Sequence, residues 1–233
     1  MANTFVRLSS LLLVGLICLS WASADQLNDF EDKYYGSVSW ERFSRSGIAN
    51  RKIDLSNPDM EILNAAVFFA SNKARAKQKL ALLRFDPSLR NMARFHAQQM
   101  ARFHFVSHDN PRSPRYATVE ARGRQFNAQV NAENVASTFL HRYRSGSRYY
   151  AKPSPQGYVF FDASHQEIKL HTYWSFAEDI VQGWIDSPSH RRNLFHVQLK
   201  TLGCACEIGK GEIGSGELPM AYCGQNFGIG RNN

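Results

Sequence analysis

The 233-residue sequence has only four cysteines, and it has no internal repeat, heptad seam or low-complexity tract. So few cysteines exclude a disulfide-dense scaffold. No apolar run approaches the roughly 20 residues that a membrane-spanning helix needs, so no transmembrane segment is expected. Asn-x-Ser/Thr acceptors are absent, as are the Gly-x-Ser-x-Gly elbow of serine hydrolases and the His-Glu-x-x-His helix of zinc peptidases. Acidic residues are outnumbered: 28 Lys and Arg face 20 Asp and Glu, for a net charge of +8. The positive charge gathers in two runs, Lys73 to Lys79 and Arg142 to Tyr150, the second with interleaved tyrosines.

The N-terminus combines a single cation, Arg7, with an apolar core from Leu11 to Leu19 and the small-residue sequence Ala22-Ser23-Ala24. This is the pattern of a secretory signal peptide over residues 1–24, and it places the protein outside the cell. Such an address turns the basic surface away from nucleic acid and towards anionic glycans, lipid surfaces or other cell-surface partners. Cys18 leaves with the signal peptide, so Cys204, Cys206 and Cys223 remain. Cys-x-Cys is not a usual zinc-ligand spacing. On a strand Cys204 and Cys206 face the same side, and either can bridge to Cys223 on a partner strand.

Residues 25–57 form an aromatic N-terminal extension without clear periodicity, able to wrap the domain or to stay mobile. Ser56-Asn57-Pro58 carries a helix-start signal, and Ile62, Ala65, Ala66 and Phe69 give helical spacing to about Gln78. Asp86-Pro87 repeats the signal for a second helix ending near His104. Residues 109–124 read as loop, Glu133 to Leu140 as a short helical piece, and Arg142 to Gln156 as variable surface loop. Gly157 to Phe161 and His165 to His171 are expected strands. Trp174 to Trp184 returns to helical period with Trp184 on the core face. Leu199 to Ile208 and Leu218 to Ile229 read as an antiparallel hairpin across a glycine-rich connection. Helices first, one late helix and a closing hairpin indicate an α+β layered domain with an antiparallel sheet.

Three segments carry candidate chemistry: Phe105-Val106-Ser107-His108, Ala132-Glu133-Asn134-Val135, and Trp184 to Leu194 with its Ser187-Pro188-Ser189-His190-Arg191-Arg192-Asn193 core. Their order resembles that of the CAP superfamily, the cysteine-rich secretory, antigen 5 and pathogenesis-related proteins, closest to its short bacterial-type branch. Asn72-Lys73-Ala74-Arg75, Leu82 to Leu89 and Leu202-Gly203-Cys204-Ala205 also look like family segments, so the resemblance spans about residues 58–230. It implies a three-layer α-β-α sandwich with a central antiparallel sheet. It further implies a cleft joining His108, Glu133 and His190, with an acidic residue after the Trp-containing helix, where this chain has Asp186-Ser187. Ala132 replaces the family's glycine, and Arg191 and Asn193 are expected to be scaffold, through a salt bridge and a tied turn.

Two imidazoles and a carboxylate could hold zinc, and no cofactor is otherwise required. The resemblance implies a secreted, non-enzymatic binding module for a lipid, sterol or anionic ligand. The alternative is a zinc-dependent, peptidase-like hydrolase with metal on His108 and His190 and Glu133, or less plainly Ser187, in the catalytic role. A purely structural cleft is a third reading. His104 and His108, four residues apart, would share a helix face if the helix continued.

Overall fold

A computed structural model describes residues 30–155, 157–209 and 216–230. The signal peptide expected over 1–24 and most of the glycine-rich connection lie outside the described residues.

Three long helices sandwich a four-stranded sheet. Helix α3 (Met60–Lys77) begins two residues later than the proline signal suggests, because Asp59 is the cap: its Oδ1 accepts from Ile62 N at 3.1 Å. Asp59 is pinned from outside the helix, since its N–H donates to Tyr173 Oη at 2.8 Å and its carboxylate accepts from Arg51 at 2.9 Å. Most of α3 is buried, so it is a core helix rather than an amphipathic surface one. Helix α4 (Pro87–Phe103) starts as its Asp-Pro signal directs, with Asp86 Oδ1 accepting from Ser88 N and Leu89 N. It ends where His104 turns left-handed, at φ 53°. Helix α6 (Tyr173–Asp186) buries Phe176, Ile180 and Trp184 against α3 and the sheet. Short helices α1 (Trp40–Arg45), α2 (Gly47–Asn50), α5 (Val119–Gln125) and α7 (Pro188–Leu194) complete the helical part.

The sheet order is β1-β5-β6-β2, formed by β1 (Arg84–Phe85), β2 (Ala132–Phe139), β5 (Thr201–Ile208) and β6 (Met220–Gly228). The expected hairpin is β5–β6, and β2 extends it antiparallel. β1, however, pairs parallel to β5, so the sheet is mixed at that edge rather than wholly antiparallel. Helix α4 packs on one face and α3 and α6 on the other. The approach of α4 is close: a Cβ at Gly203 would lie 2.0 Å from Arg90 N. Cys206 and Cys223 are register partners on β5 and β6 and form the disulfide, which leaves Cys204 a buried thiol.

Four local expectations fail. Glu133 to Leu140 is strand, not helix, because all eight residues of β2 find a partner on β6 and this pairing overrides a weak helical pattern. The supposed loop over 142–156 contains β3 (Tyr149–Ser154), which pairs with β4 (Gly157–Asp162) in a separate hairpin; Tyr149 packs on Phe160 and Tyr143. His165 to His171 makes only isolated bridges, since His165 sits at φ 59° in a turn held by Asp162, whose carboxylate accepts from Ser164 N and Gln166 N. The loop over 109–124 includes most of α5. From Phe30 onward the extension wraps the domain. Phe30, Tyr35 and Phe43 are buried, Tyr35 stacks on Phe85 at 3.8 Å, and Asp32 takes two hydrogen bonds from Arg90.

Candidate functional site

The end of α4 determines where the first imidazole goes. After His104 the chain reverses, so His104 and His108 do not share a helix face. The loop from Phe105 to His108 is anchored by His96 on α4, whose Nε2 lies 2.8 Å from Ser107 O and must donate to it. Burial holds His96 below the usual imidazole pKa, which keeps it neutral.

His108 Nδ1 lies 3.0 Å from Glu133 Oε1. Glu133 is at the start of β2, its side chain only 2 % exposed, and a buried carboxylate requires full pairing. Arg122, fully buried on α5, supplies that pairing: its Nη2 donates to both Glu133 oxygens at 2.9 Å. The same guanidinium donates to His108 O at 2.8 Å and to Tyr116 O at 3.2 Å. One arginine therefore binds the carboxylate, the backbone of the first histidine and the loop before α5. Asn226, opposite Glu133 in the β2–β6 register, adds a contact; with its amide oriented to satisfy both ends, it donates to Glu133 Oε2 at 3.0 Å and accepts from Ala93 N at 3.0 Å.

The second imidazole comes from α7, which starts at Pro188 after the Ser187 junction and is anchored by the buried Leu194. Two asparagines dock this helix on β2. Asn193 Nδ2 donates to Glu133 O at 3.1 Å and Asn134 Oδ1 at 2.9 Å, while Asn134 Nδ2 donates to His190 O and Gln225 Oε1, both at 3.1 Å. Asn193 thus ties two elements together rather than its own turn. Arg191 donates to Ile185 O at 3.3 Å in place of the expected salt bridge. Ala132 lies in extended β2, where the missing glycine costs nothing.

The His108 and His190 rings stand 6.2 Å apart, centroid to centroid, at 65°. Their titrations are pushed in opposite directions. The Glu133 hydrogen bond raises His108 above the ordinary imidazole value, whereas burial, then the neighbouring His108, lowers His190. Asp186 and Ser187 do not join them: Asp186 accepts from Gln182 at 2.8 Å on the exposed end of α6, and Ser187 Oγ lies 3.3 Å from Ser189 Oγ. Ser107 Oγ accepts from Asp109 N, so neither serine is paired with an imidazole.

The residues fit a catalytic zinc poorly. Both Glu133 oxygens are committed to Arg122, so the carboxylate could reach a metal or activate water only by leaving a buried guanidinium. Two imidazoles remain, fewer than the three protein ligands of catalytic zinc sites. No group of three His, Cys, Asp or Glu among the described residues is arranged to hold a metal.

Arg122 is not legible as a site residue from sequence. It is one of five arginines between Arg102 and Arg124, and nothing in the sequence marks the one that is buried. Gln225 and Asn226 are equally hidden, because their roles depend on strand register.

A sequence model of the cysteine-rich secretory protein family, CAP, matches residues 68–136 and 124–227. No curated protein matches. Similar solved structures include an extracellular protein containing an SCP domain from Bacillus anthracis, at 17% identity over 72% of this chain and 41% of that one, with a TM-score of 0.46. An outer surface protein from Borrelia burgdorferi is 13% identical over 77% of this chain and 98% of its own, with a TM-score of 0.46. A cysteine-rich secretory protein from Staphylococcus aureus is 11% identical over 72% and 39%, with a TM-score of 0.38. The chain therefore spans about two fifths of the Bacillus and Staphylococcus proteins. Because the family matches run from Phe68 in α3 to Phe227 in β6 and enclose His108, Arg122, Glu133 and His190, the chain belongs to the cysteine-rich secretory protein (CAP) family.

Proposed function

We propose that this CAP protein is a secreted, non-enzymatic binding module whose cleft offers the His108 and His190 imidazoles to the anionic group of an extracellular ligand, such as a lipid or sterol headgroup or an acidic glycan. The observation that carries this reading is the commitment of Glu133 to Arg122 and His108. A carboxylate neutralised by a buried guanidinium is a poor general base, but it is a good anchor for an imidazole that must stay put and hold a proton. Secretion is supported by the N-terminal pattern and by the Cys206–Cys223 disulfide, which suits an oxidising compartment. Among the described residues no helix is long and apolar enough to cross a membrane.

The reading predicts that anion binding strengthens on acidification, because His108 gains its charge at a raised pKa. The test follows the ring resonances of His108 and His190 during titration with inorganic phosphate, a fatty-acid carboxylate, a sterol sulfate and an oligouronate. Saturable shifts of both rings with at least one probe, stronger at pH 6 than at pH 8 and lost in a His108→Ala/His190→Ala variant, are expected. Absence of any shift, or binding unchanged in the double variant, overturns the proposal.

A further inference from the structure

Five large apolar side chains are strongly exposed among the described residues, and three of them lie on one edge of the domain: Leu82 at 50 %, Val197 at 74 % and Ile229 at 40 %. They come from distant parts of the chain. The buried Arg75 joins the first two loops, since its Nε donates to Ala81 O at 2.8 Å and its Nη1 to Leu194 O at 2.8 Å and His196 O at 3.1 Å. The third joins through backbone: Arg84 N donates to Lys200 O at 2.9 Å and Lys200 N to Gly228 O at 2.8 Å, next to Ile229. Exposed cations lie among the apolar tips: Lys79, Arg84 and Lys200. The segments 77–85, 191–202 and 228–230 that build this edge contain no Asp or Glu. In a chain with 20 carboxylates, these three segments carry cations and no carboxylate of their own. Asp32, which borders Leu82 and Arg84, is paired with Arg90, so the edge keeps an excess of positive charge.

We infer that this edge docks on an anionic lipid bilayer, independently of the imidazole cleft. Apolar tips ringed by lysine and arginine match the two layers of such a surface. Leu82, Val197 and Ile229 enter the headgroup and acyl boundary, while Lys79, Arg84 and Lys200 meet lipid phosphates. An acidic protein would satisfy the cations but would not require exposed aliphatic tips on flanking loops. The anchoring by Arg75 is also favourable, because rigid loops lose little freedom on docking.

The experiment is cosedimentation of the full chain with phosphatidylcholine vesicles and with vesicles carrying 30% phosphatidylglycerol, read as the ratio of the two affinities. Because the apolar N-terminal run can bind vesicles by itself, each chain is also run without residues 1–24, and the losses are read from that pair. At about fivefold in affinity for each cation near an anionic surface, three cations give a preference on the order of a hundredfold. A Lys79→Gln/Arg84→Gln/Lys200→Gln variant is expected to lose most of that preference. A Leu82→Asp/Val197→Asp variant is expected to lose binding to the anionic vesicles by tenfold or more. The matching triple in the β3 region, Arg144→Gln/Arg148→Gln/Lys152→Gln, should retain the preference. All of these residues are exposed, and unchanged circular dichroism and Tm would confirm folding. No preference in the wild type, or equal losses in the two triple variants, overturns the inference.

Discussion

Replacing Arg122 with Met is the sharpest perturbation of the cleft, because it keeps most of the buried volume and removes only the charge and its hydrogen bonds. Glu133 would remain buried beside a half-exposed imidazole, with its main counter-charge gone, and His108 O and Tyr116 O would each lose a donor. Breaking a buried ion pair from one side costs about 3–5 kcal/mol, mostly from stranding the remaining charge. Chemical denaturation at pH 7 should therefore show Arg122→Met less stable than wild type by about that amount. Two further results follow from the same cause. The deficit should shrink near pH 5, since a protonated His108 then supplies Glu133 with a counter-charge. An Arg122→Met/Glu133→Gln double variant should be less unstable than the sum of its single variants, with a coupling of at least about 1 kcal/mol. A cost below about 1 kcal/mol for Arg122→Met would refute the reasoning, because it would mean that Glu133 does not depend on its arginine.

His141, 5 % exposed where β2 meets the β3–β4 hairpin, is lowered by burial to a pKa of about 4. The unfolded chain takes up this proton as pH falls through about 6.5, but the native state does not do so until about pH 4. Stability is therefore full above the unfolded value and declines below it, by about 3 kcal/mol at pH 4 at 1.36 kcal/mol for each unit. Urea denaturation of His141→Phe should show a correspondingly smaller acid loss; an unchanged profile would contradict the assignment. Gly203→Ala would set its methyl against the backbone of Leu89 and Arg90, and it should cost about 3 kcal/mol or more in a thermal melt, with a wild-type Tm as the contrary result. Removing the disulfide with Cys206→Ser/Cys223→Ser should cost about 2–4 kcal/mol, whereas Cys204→Ala should leave the bridge intact by thiol counting.

What the sequence discloses depends on whether the determining interaction is local. Asp86-Pro87 opens α4 because the cap, the proline and the helix are consecutive. The β5–β6 hairpin follows from alternation across one connection. β2 reads wrongly as helix because its strand character comes from β6, almost ninety residues away. β3 reads wrongly as loop because Tyr149 and Tyr150 meet Phe160 and His165 only once the chain has folded back beside them. The extension gives no period because its aromatics enter the core one at a time, Phe30 and Tyr35 ahead of α1 and Phe43 within it. The same division applies to the cleft: the histidines and Glu133 sit in recognisable motifs, but Arg122 matters only through burial.

The central claim is that Glu133 is an anchor and not a general base. It is tested most directly by assaying ester and peptide hydrolysis by zinc-supplied wild type beside a Glu133→Gln variant whose folding is verified by circular dichroism. The account predicts that the wild type turns over substrate no faster than Glu133→Gln does. Turnover in the wild type that falls tenfold or more in the folded variant would contradict it.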